Sequence, residues 1–309
     1  MKVKYHMTNA SSMPRVTIGM PVCNGENYLI YALDSLLGQT FKDFELIISD
    51  NGSTDNTKSI CQTCAEHDSR IRYYRSDLNR GATWNFNRLV DLARGEFFMW
   101  AAHDDLWDAL FIEKLVCALD ENSSVILSYC AHNVIDSHGK VYKKIPINLN
   151  LSSDKPNVRF AAGWRYNPQI PVFGLIRTKD LKKTRKIGNF TASDQVLVSE
   201  LALLGPFYGI PEYLFSYRRH IKQSTGKEFP TQQARIAWFD PSKKGRITFP
   251  NWRLLREHCI AIYKAPLTKR QRVFCYASAV RWMIRWRRHL IGDFFMYEPR
   301  LRRRKLEVT

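Results

Sequence analysis

At 309 residues and 45% hydrophobic side chains, the chain can bury one core of about 200 to 250 residues with an appendage attached. No window approaches the roughly 18 to 20 consecutive apolar residues of a membrane span, and the N-terminal MKVKYHMTNASSMP has no apolar core like that of a signal peptide, so a cytoplasmic chain is expected. The formal charge of +18 is uneven, since the stretch from Asn251 to Thr309 carries 15 Lys and Arg against 4 Asp and Glu. Seven scattered cysteines, an odd number, fit free thiols better than a disulfide framework. Cys61 and Cys64 form a CxxC with His67 nearby, but the second half of a zinc site is missing and packing is the simpler reading.

From Arg15 to Ser128, short β-branched or aromatic runs alternate with helical patterns. Strands are expected at 16–22, 44–50, 71–76, 96–102 and 125–130, with helices at 26–38, 55–68, 83–94 and 108–121. This alternation argues for an α/β fold with a mostly parallel, mixed sheet flanked by helices, whose ligands bind at the carboxyl ends of the strands. Residues 137–170, rich in Lys, Asn, Ser and Pro, show no clear period and read as a partly irregular excursion. Order returns at 171–177, in a helix-like 192–205 and in the aromatic-rich 207–220. A boundary is expected in 224–230, before a basic, helical C-terminal part.

Three polar clusters fall at strand carboxyl ends. The first follows Pro21 and Val22 with Asn24 and Glu26, and the second is Asp50, Asn51, Gly52, Ser53, Thr54 and Asp55. Asp50 can accept from a nucleobase imide while Asn51 and Gly52 turn the backbone around a base or ribose; the same residues also suit a plain turn and helix cap. The third cluster, His103, Asp104 and Asp105, follows FFMWAA. Adjacent carboxylates can hold a divalent cation that offsets a leaving diphosphate, or merely cap the next helix.

PVCNGENYL, then SLLGQTFKDFELIISDNGSTDNT, then NRGATWNFNRLVDLARGEFFMWAAHDDLW resemble, in order and spacing, successive signatures of family 2 glycosyltransferases. The resemblance covers residues 15 to 130 and extends more weakly to about 225. It implies a GT-A catalytic domain at 14–225, with a basic, mainly helical appendage at 226–309. It also implies a nucleotide-diphospho-sugar donor, with a UDP-sugar favoured, and a divalent metal ion, Mn²⁺ or Mg²⁺. Pro21, Val22, Asn24 and Glu26 would then line the base and ribose pocket and Asp50 would bond the base, with Asn51 and Gly52 turning the backbone around it. Asn79 and Gly81 would lie near the base and diphosphate, with His103 and Asp105 beside the metal. Asp104 matches the last acidic residue of the family's DxD metal motif, whose first Asp falls on Ala102; either Asp105 or water compensates, or the metal is held more weakly. Asp194 matches the base that deprotonates the acceptor hydroxyl in inverting members. Arg218, His220 and Ser224 resemble a segment that closes the site, with His220 a metal ligand or phosphate contact.

Projected as a helix, 273–291 puts Tyr276, Ala279, Trp282, Met283, Trp286 and Leu290 on one side, with Arg281, Arg285 and Arg288 opposite. That suits a helix in the headgroup region of an anionic membrane, bringing the enzyme to a glycan or lipid-linked saccharide acceptor at the inner face of the cell membrane, or an apolar side packed on the catalytic domain. Nucleic acid is disfavoured, because no helix-turn-helix, zinc-finger or RNP pattern accompanies the charge. Two competitors remain. A nucleotidyltransferase would need a basic, Gly-rich loop after the first strand, which PVCNGENY lacks. A catalytically inactive nucleotide-sugar-binding module is supported by Ala102.

Overall fold

The computed structural model describes residues 13–147, 151–166, 170–220, 232–244 and 248–295. Its strands are β1 (Val16–Val22), β2 (Phe44–Asn51), β3 (Ile71–Ser76), β4 (Phe97–Trp100), β5 (Leu106–Trp107), β6 (Leu127–Ile135), β7 (Val141–Ile145), β8 (Leu175–Arg177) and β9 (Phe207–Arg218). The helices are α1 (Leu29–Leu37), α2 (Thr57–His67), α3 (Ala82–Leu92), α4 (Phe111–Glu121), α5 (Pro156–Tyr166), α6 (Thr178–Leu181), α7 (Ser193–Leu204), α8 (Gln232–Phe239), α9 (Pro250–Lys264), α10 (Lys269–Arg285) and α11 (Arg287–Phe294).

The strands form one mixed sheet in the order β3-β2-β1-β4-β8-β6-β9-β5, with β7 paired to β6. β3, β2, β1 and β4 run parallel, and β6 runs parallel to β9 along most of its length. β8 is antiparallel to both β4 and β6 and joins the two halves. This is the α/β arrangement expected from the alternating runs.

Period-2 side-chain alternation sends successive strand residues to opposite faces. Val16, Ile18, Met20, Phe97 and Met99 enter a core with Leu29 and Leu33 of α1 and Phe111 and Leu115 of α4. Ile47, Phe98 and Trp100 enter a second core with Leu89 and Val90 of α3 and Leu197 and Leu201 of α7. Burying each such side chain contributes about 1.5 to 3 kcal/mol, enough to fix which face each helix covers.

The irregular excursion contains order that the composition concealed. β7, VYKKI, is exposed along most of its length, so it has no apolar alternation to read. α5 buries Phe160 and Trp164, one turn apart, in a third core shared with Val196 and Leu203 of α7. Leu254, Ala261 and Ile262 of α9, Cys275, Ala279 and Trp282 of α10 and Leu290 of α11 complete it. The C-terminal helices are therefore packed on α5 and α7. The expected boundary between residues 225 and 226 lies outside the described residues.

The projected 273–291 helix is broken at Trp286, which ends α10 and precedes α11. Ala279, Trp282 and Leu290 are buried, and Tyr276, Met283 and Trp286 pack against the same core, so that side faces protein. α10 begins with a capping box: Thr268 accepts from the Gln271 N–H at 3.3 Å, and the Thr268 N–H donates to Gln271 Oε1 at 2.9 Å. All seven cysteines are free; Cys61 is buried in the first core and Cys64 packs beside it, as the packing reading of the CxxC requires. No helix among the described residues is long and apolar enough to cross a membrane.

Candidate active site

The loops after β1, β2, β3 and β4 meet at the carboxyl end of the parallel strands. Asn24, at φ 54°, accepts on Oδ1 from the Thr54 N–H at 2.8 Å, and its own N–H donates to Ser53 Oγ at 2.9 Å. Gly25 N–H donates to Thr57 Oγ1, and the Glu26 carboxylate accepts from the Asn56 N–H at 3.0 Å. Asn24 and Glu26 thus zip the first loop to the second, while Pro21 and Val22 are buried at the end of β1.

Asp50 is fully buried and surrounded by donors. Its Oδ1 accepts from the Ser53 N–H at 2.9 Å, and its Oδ2 from the Tyr73 hydroxyl at 2.8 Å and from Arg75. Burial, and then the Asp50 hydrogen bond, push the Tyr73 phenol well up. Arg75 also donates to the Ser53 carbonyl at 2.9 Å. Both oxygens of Asp50 are thereby tied into the framework of the site. Tyr73 and Arg75 had no local signal in the sequence; only the parallel register of β2 with β3, which sets Arg75 beside Asp50, brings them there.

Asn51 links the second loop to the third. Its Nδ2 donates to Asn79 Oδ1 at 3.0 Å and to the Gly81 carbonyl at 3.2 Å, while its Oδ1 accepts from the Arg80 N–H at 2.9 Å. Gly52 (φ +72°) and Gly81 (φ +85°) both adopt a conformation costly for other residues. Space excludes a side chain there too: a Cβ on Gly52 would stand 2.8 Å from the Asn79 nitrogen, and one on Gly81 2.7 Å from the Phe239 carbonyl oxygen. The C-terminal part of the chain therefore reaches back onto the third loop through the end of α8.

His103, Asp104 and Asp105 follow β4. A Cβ on Gly25 would lie 2.7 Å from the His103 ring, which rests against the first loop. Asp104 Oδ2 and His220 Nε2 are 2.8 Å apart, though 116 residues separate them in sequence. Burial alone would raise the Asp104 carboxyl, but the His220 hydrogen bond and the electrostatic influence of the His103 and His220 rings outweigh it and hold the group below its ordinary value. Asp105 is fully buried; burial, then the neighbouring Asp104 charge, push its carboxyl well up. Its Oδ1 accepts from the Arg218 N–H at 2.8 Å, and its Oδ2 has no hydrogen-bond partner among the described residues.

Arg218 is a clamp. Its Nε donates to the Asp104 carbonyl at 2.7 Å, and Nη1 donates to the Asp136 and Ser137 carbonyls. The guanidinium lies 4.7 Å from the centre of the Tyr28 ring, which also packs 4.8 Å from His220. Tyr28, which lies within PVCNGENYL but had no role assigned there, is a third residue whose place in the site only the fold reveals. Ser224 lies outside the described residues.

Among the described residues, no three His, Cys, Asp or Glu side chains converge as a metal cage. One carboxylate beside one imidazole nevertheless suits a divalent cation whose other positions come from substrate phosphates and water, the usual habit of Mg²⁺ with nucleotides. Such a cation would replace the direct hydrogen bond between Asp104 and His220.

Asp194 sits in the first turn of α7 behind Ala192, which adopts the left-handed conformation at φ 63°. Burial raises its carboxyl and outweighs hydrogen bonds from its own N–H and that of Gln195. The loop before it is tied to the start of α3, where Thr83 donates to the Gly188 carbonyl at 3.1 Å and Asn87 to the Ile187 carbonyl at 2.9 Å.

The model of the family described as glycosyl transferase family 2 matches residues 17–185. The glycosyltransferase GlyG of Streptococcus pneumoniae is 25% identical over 71% of this chain and 76% of its own length. A Campylobacter jejuni GalNAc(5)-diNAcBac-PP-undecaprenol beta-1,3-glucosyltransferase is 31% identical over 43% of this chain and 42% of its own length. Several relatives are much longer: an uncharacterized glycosyltransferase of Rickettsia bellii, 32% identical, is matched over 47% of this chain but 21% of its own length. Residues 1–349 of S. aureus TarS, solved with UDP-GlcNAc, superpose with a TM-score of 0.68 at 16% identity, covering 90% of this chain and 79% of that one. The mannosyltransferase PcManGT of Pyrobaculum calidifontis, solved with GDP-Man and Mn²⁺, gives a TM-score of 0.57 at 15% identity over 92% and 74% of the two chains. These likenesses establish a GT-A fold. With its model spanning more than half of the sequence, the chain belongs to glycosyl transferase family 2.

Proposed function

We propose that the chain is an inverting glycosyltransferase that moves one sugar from a nucleotide-diphospho-sugar, a UDP-sugar by preference, onto an acceptor hydroxyl in cell-surface glycan or polysaccharide synthesis. The observation that carries this reading is the Asp104 and His220 pair beside the loop cluster tied by Asn51, Asn79 and Gly81. The UDP-GlcNAc complex of TarS and the GDP-Man and Mn²⁺ complex of PcManGT support a nucleotide-sugar donor, with UDP favoured by the higher TM-score. The name of the Campylobacter relative supports a lipid-linked saccharide as acceptor class. Such an acceptor places the enzyme at the inner face of the cell membrane.

The geometry of the site supports the following division of labour. Pro21, Val22, Asn24, Glu26, Asp50, Asn51 and Gly52 shape the base and ribose pocket, with Asp50 acting through the framework it ties together. Asn79 and Gly81 present the third loop to the diphosphate. Asp104 and His220 would hold Mn²⁺ or Mg²⁺, which would offset the negative charge that develops on the leaving nucleotide. His103, Asp105 and Arg218 hold the turn that carries Asp104. Asp194, its carboxyl raised above its ordinary value by burial, accepts the proton of the attacking hydroxyl. The hydroxyl oxygen forms the new glycosidic bond as the anomeric carbon releases the diphosphate, inverting its configuration.

The test is transfer from a panel of UDP-, GDP- and dTDP-sugars to a lipid-linked saccharide, with the product's anomeric configuration read by NMR. One nucleotide class and an inverted product are expected. A retained configuration, or a nucleotide sugar formed from sugar phosphate and nucleotide, would overturn the reading.

A further inference from the structure

The buried side of α10 carries Cys275, Ala279 and Trp282. Its opposite side is also apolar, yet exposed. Val273, Val280 and Ile284 recur at seven and four residues, which places them within one narrow stripe of the helix. Their fractional exposures are 68%, 49% and 56%. Phe274 flanks the stripe, and Ile291 and Phe294 of α11 and the following Phe295 are exposed as well.

Charge is segregated with the same economy. Between Glu257 and Asp293 the sequence holds no acidic residue and eight Lys and Arg. Arg270, Arg281, Arg285 and Arg288 are exposed, and none of them forms an ion pair among the described residues. Asp293, which ends the acid-free stretch, is buried and bonded to Asn251. The arginines therefore border the apolar stripe with no negative partner.

We propose that this outer face of α10 and α11 docks on an anionic lipid surface, with Val273, Val280 and Ile284 entering the headgroup region and Arg270, Arg281, Arg285 and Arg288 pairing with lipid phosphates. Aliphatic side chains in the middle and cations beside them match the layering of such a surface. A second copy meeting the same face would oppose like charges. The remaining C-terminal residues, 296–309, carry five Lys and Arg against two Glu and would add to the positive charge. Nucleic acid answers the arginines but leaves the aliphatic stripe without a partner.

This inference deepens the membrane placement proposed above, and its test needs neither donor nor acceptor, so the two readings fail separately. The full chain is sedimented with vesicles of phosphatidylcholine alone or mixed with phosphatidylglycerol. Binding to the anionic vesicles is expected, falling about fivefold for each arginine lost in R281Q and R285Q and also in the V280Q/I284Q variant, with melting temperatures unchanged. No binding, binding undiminished in the variants, equal affinity for a single-stranded oligonucleotide, or a dimer abolished by V280Q/I284Q would each overturn it.

Discussion

The loop cluster at the sheet's end and the C-terminal helical layer are held together by different forces. In the loops, Asn24, Glu26, Asp50 and Asn51 join segments through directed hydrogen bonds, each contributing about 0.5 to 1.5 kcal/mol net. In the helical layer, Phe160, Trp164, Ile262 and Trp282 are joined by contact area. The lesson is a separation of roles: the loops set geometry at small cost in stability, and the layer supplies stability while leaving donor geometry to the loops. The end of α8, beside Gly81, is where the two regions meet.

Four changes would sharpen or break this separation. The largest effect is expected for Asp194→Asn, with transfer falling about 10² to 10⁴-fold. Because the folded state raises this carboxyl, ionising it opposes folding: the penalty is absent below the unfolded value and grows as pH rises through the folded one. The Asn variant should therefore melt slightly higher than wild type at neutral pH and lose that advantage in acid. The acid limb of the wild-type rate profile should lie above the ordinary carboxylate range. Full activity in Asp194→Asn would remove the residue from the mechanism.

Next comes Trp282→Ala, which should cost about 3 to 5 kcal/mol by denaturant unfolding. Nucleotide-sugar affinity of the folded fraction should stay unchanged; an equal loss of affinity would break the separation of roles.

A smaller effect belongs to His258, buried and stacked on Trp164 at 4.3 Å. Burial lowers it to about 4, so the folded state keeps it neutral while the unfolded chain takes a proton from about pH 6.5 downward. Its contribution is whole above that value and is lost as pH falls toward 4, by about 3 kcal/mol at most. Tryptophan fluorescence of wild type and His258→Gln across this range checks it, since only the wild type should lose stability from this source.

The smallest effect is expected for Asn79→Ala. The exposed side chain costs little stability, but the third loop loses one of its three bonds to Asn51 and the bond from the Gly81 N–H to Asn79 Oδ1. Donor affinity should fall about tenfold, equivalent to about 1.4 kcal/mol of ordering. Calorimetric titration with the nucleotide sugar measures it.

The same contrast explains what the sequence disclosed. Strands β1 to β4 were legible as short β-branched or aromatic runs, with β1, β2 and β4 buried on both faces, and helices α1 to α4 as the longer stretches between runs, so the polar residues directly after each strand could be placed at one end of the sheet. Partners that arrive by register were not legible: Tyr73 and Arg75 reach Asp50 only across the β2 and β3 pair, and Tyr28 reaches Arg218 through the fold. β7 is exposed and carries no periodic signal. For α10 the period was correct, but two apolar sides exist, and only packing reveals that the Trp282 side is inside and the Val280 side outside.

The central claim, that the loop cluster with Asp104 and His220 binds a nucleotide-diphospho-sugar, is tested most directly by the melting temperature of wild type and Asp104→Ala. Both are measured across UDP-, GDP- and dTDP-sugars with and without Mn²⁺. The expected result is a Mn²⁺-dependent rise with one nucleotide class that Asp104→Ala loses. No rise with any donor, or a rise retained in full by Asp104→Ala, would contradict the claim.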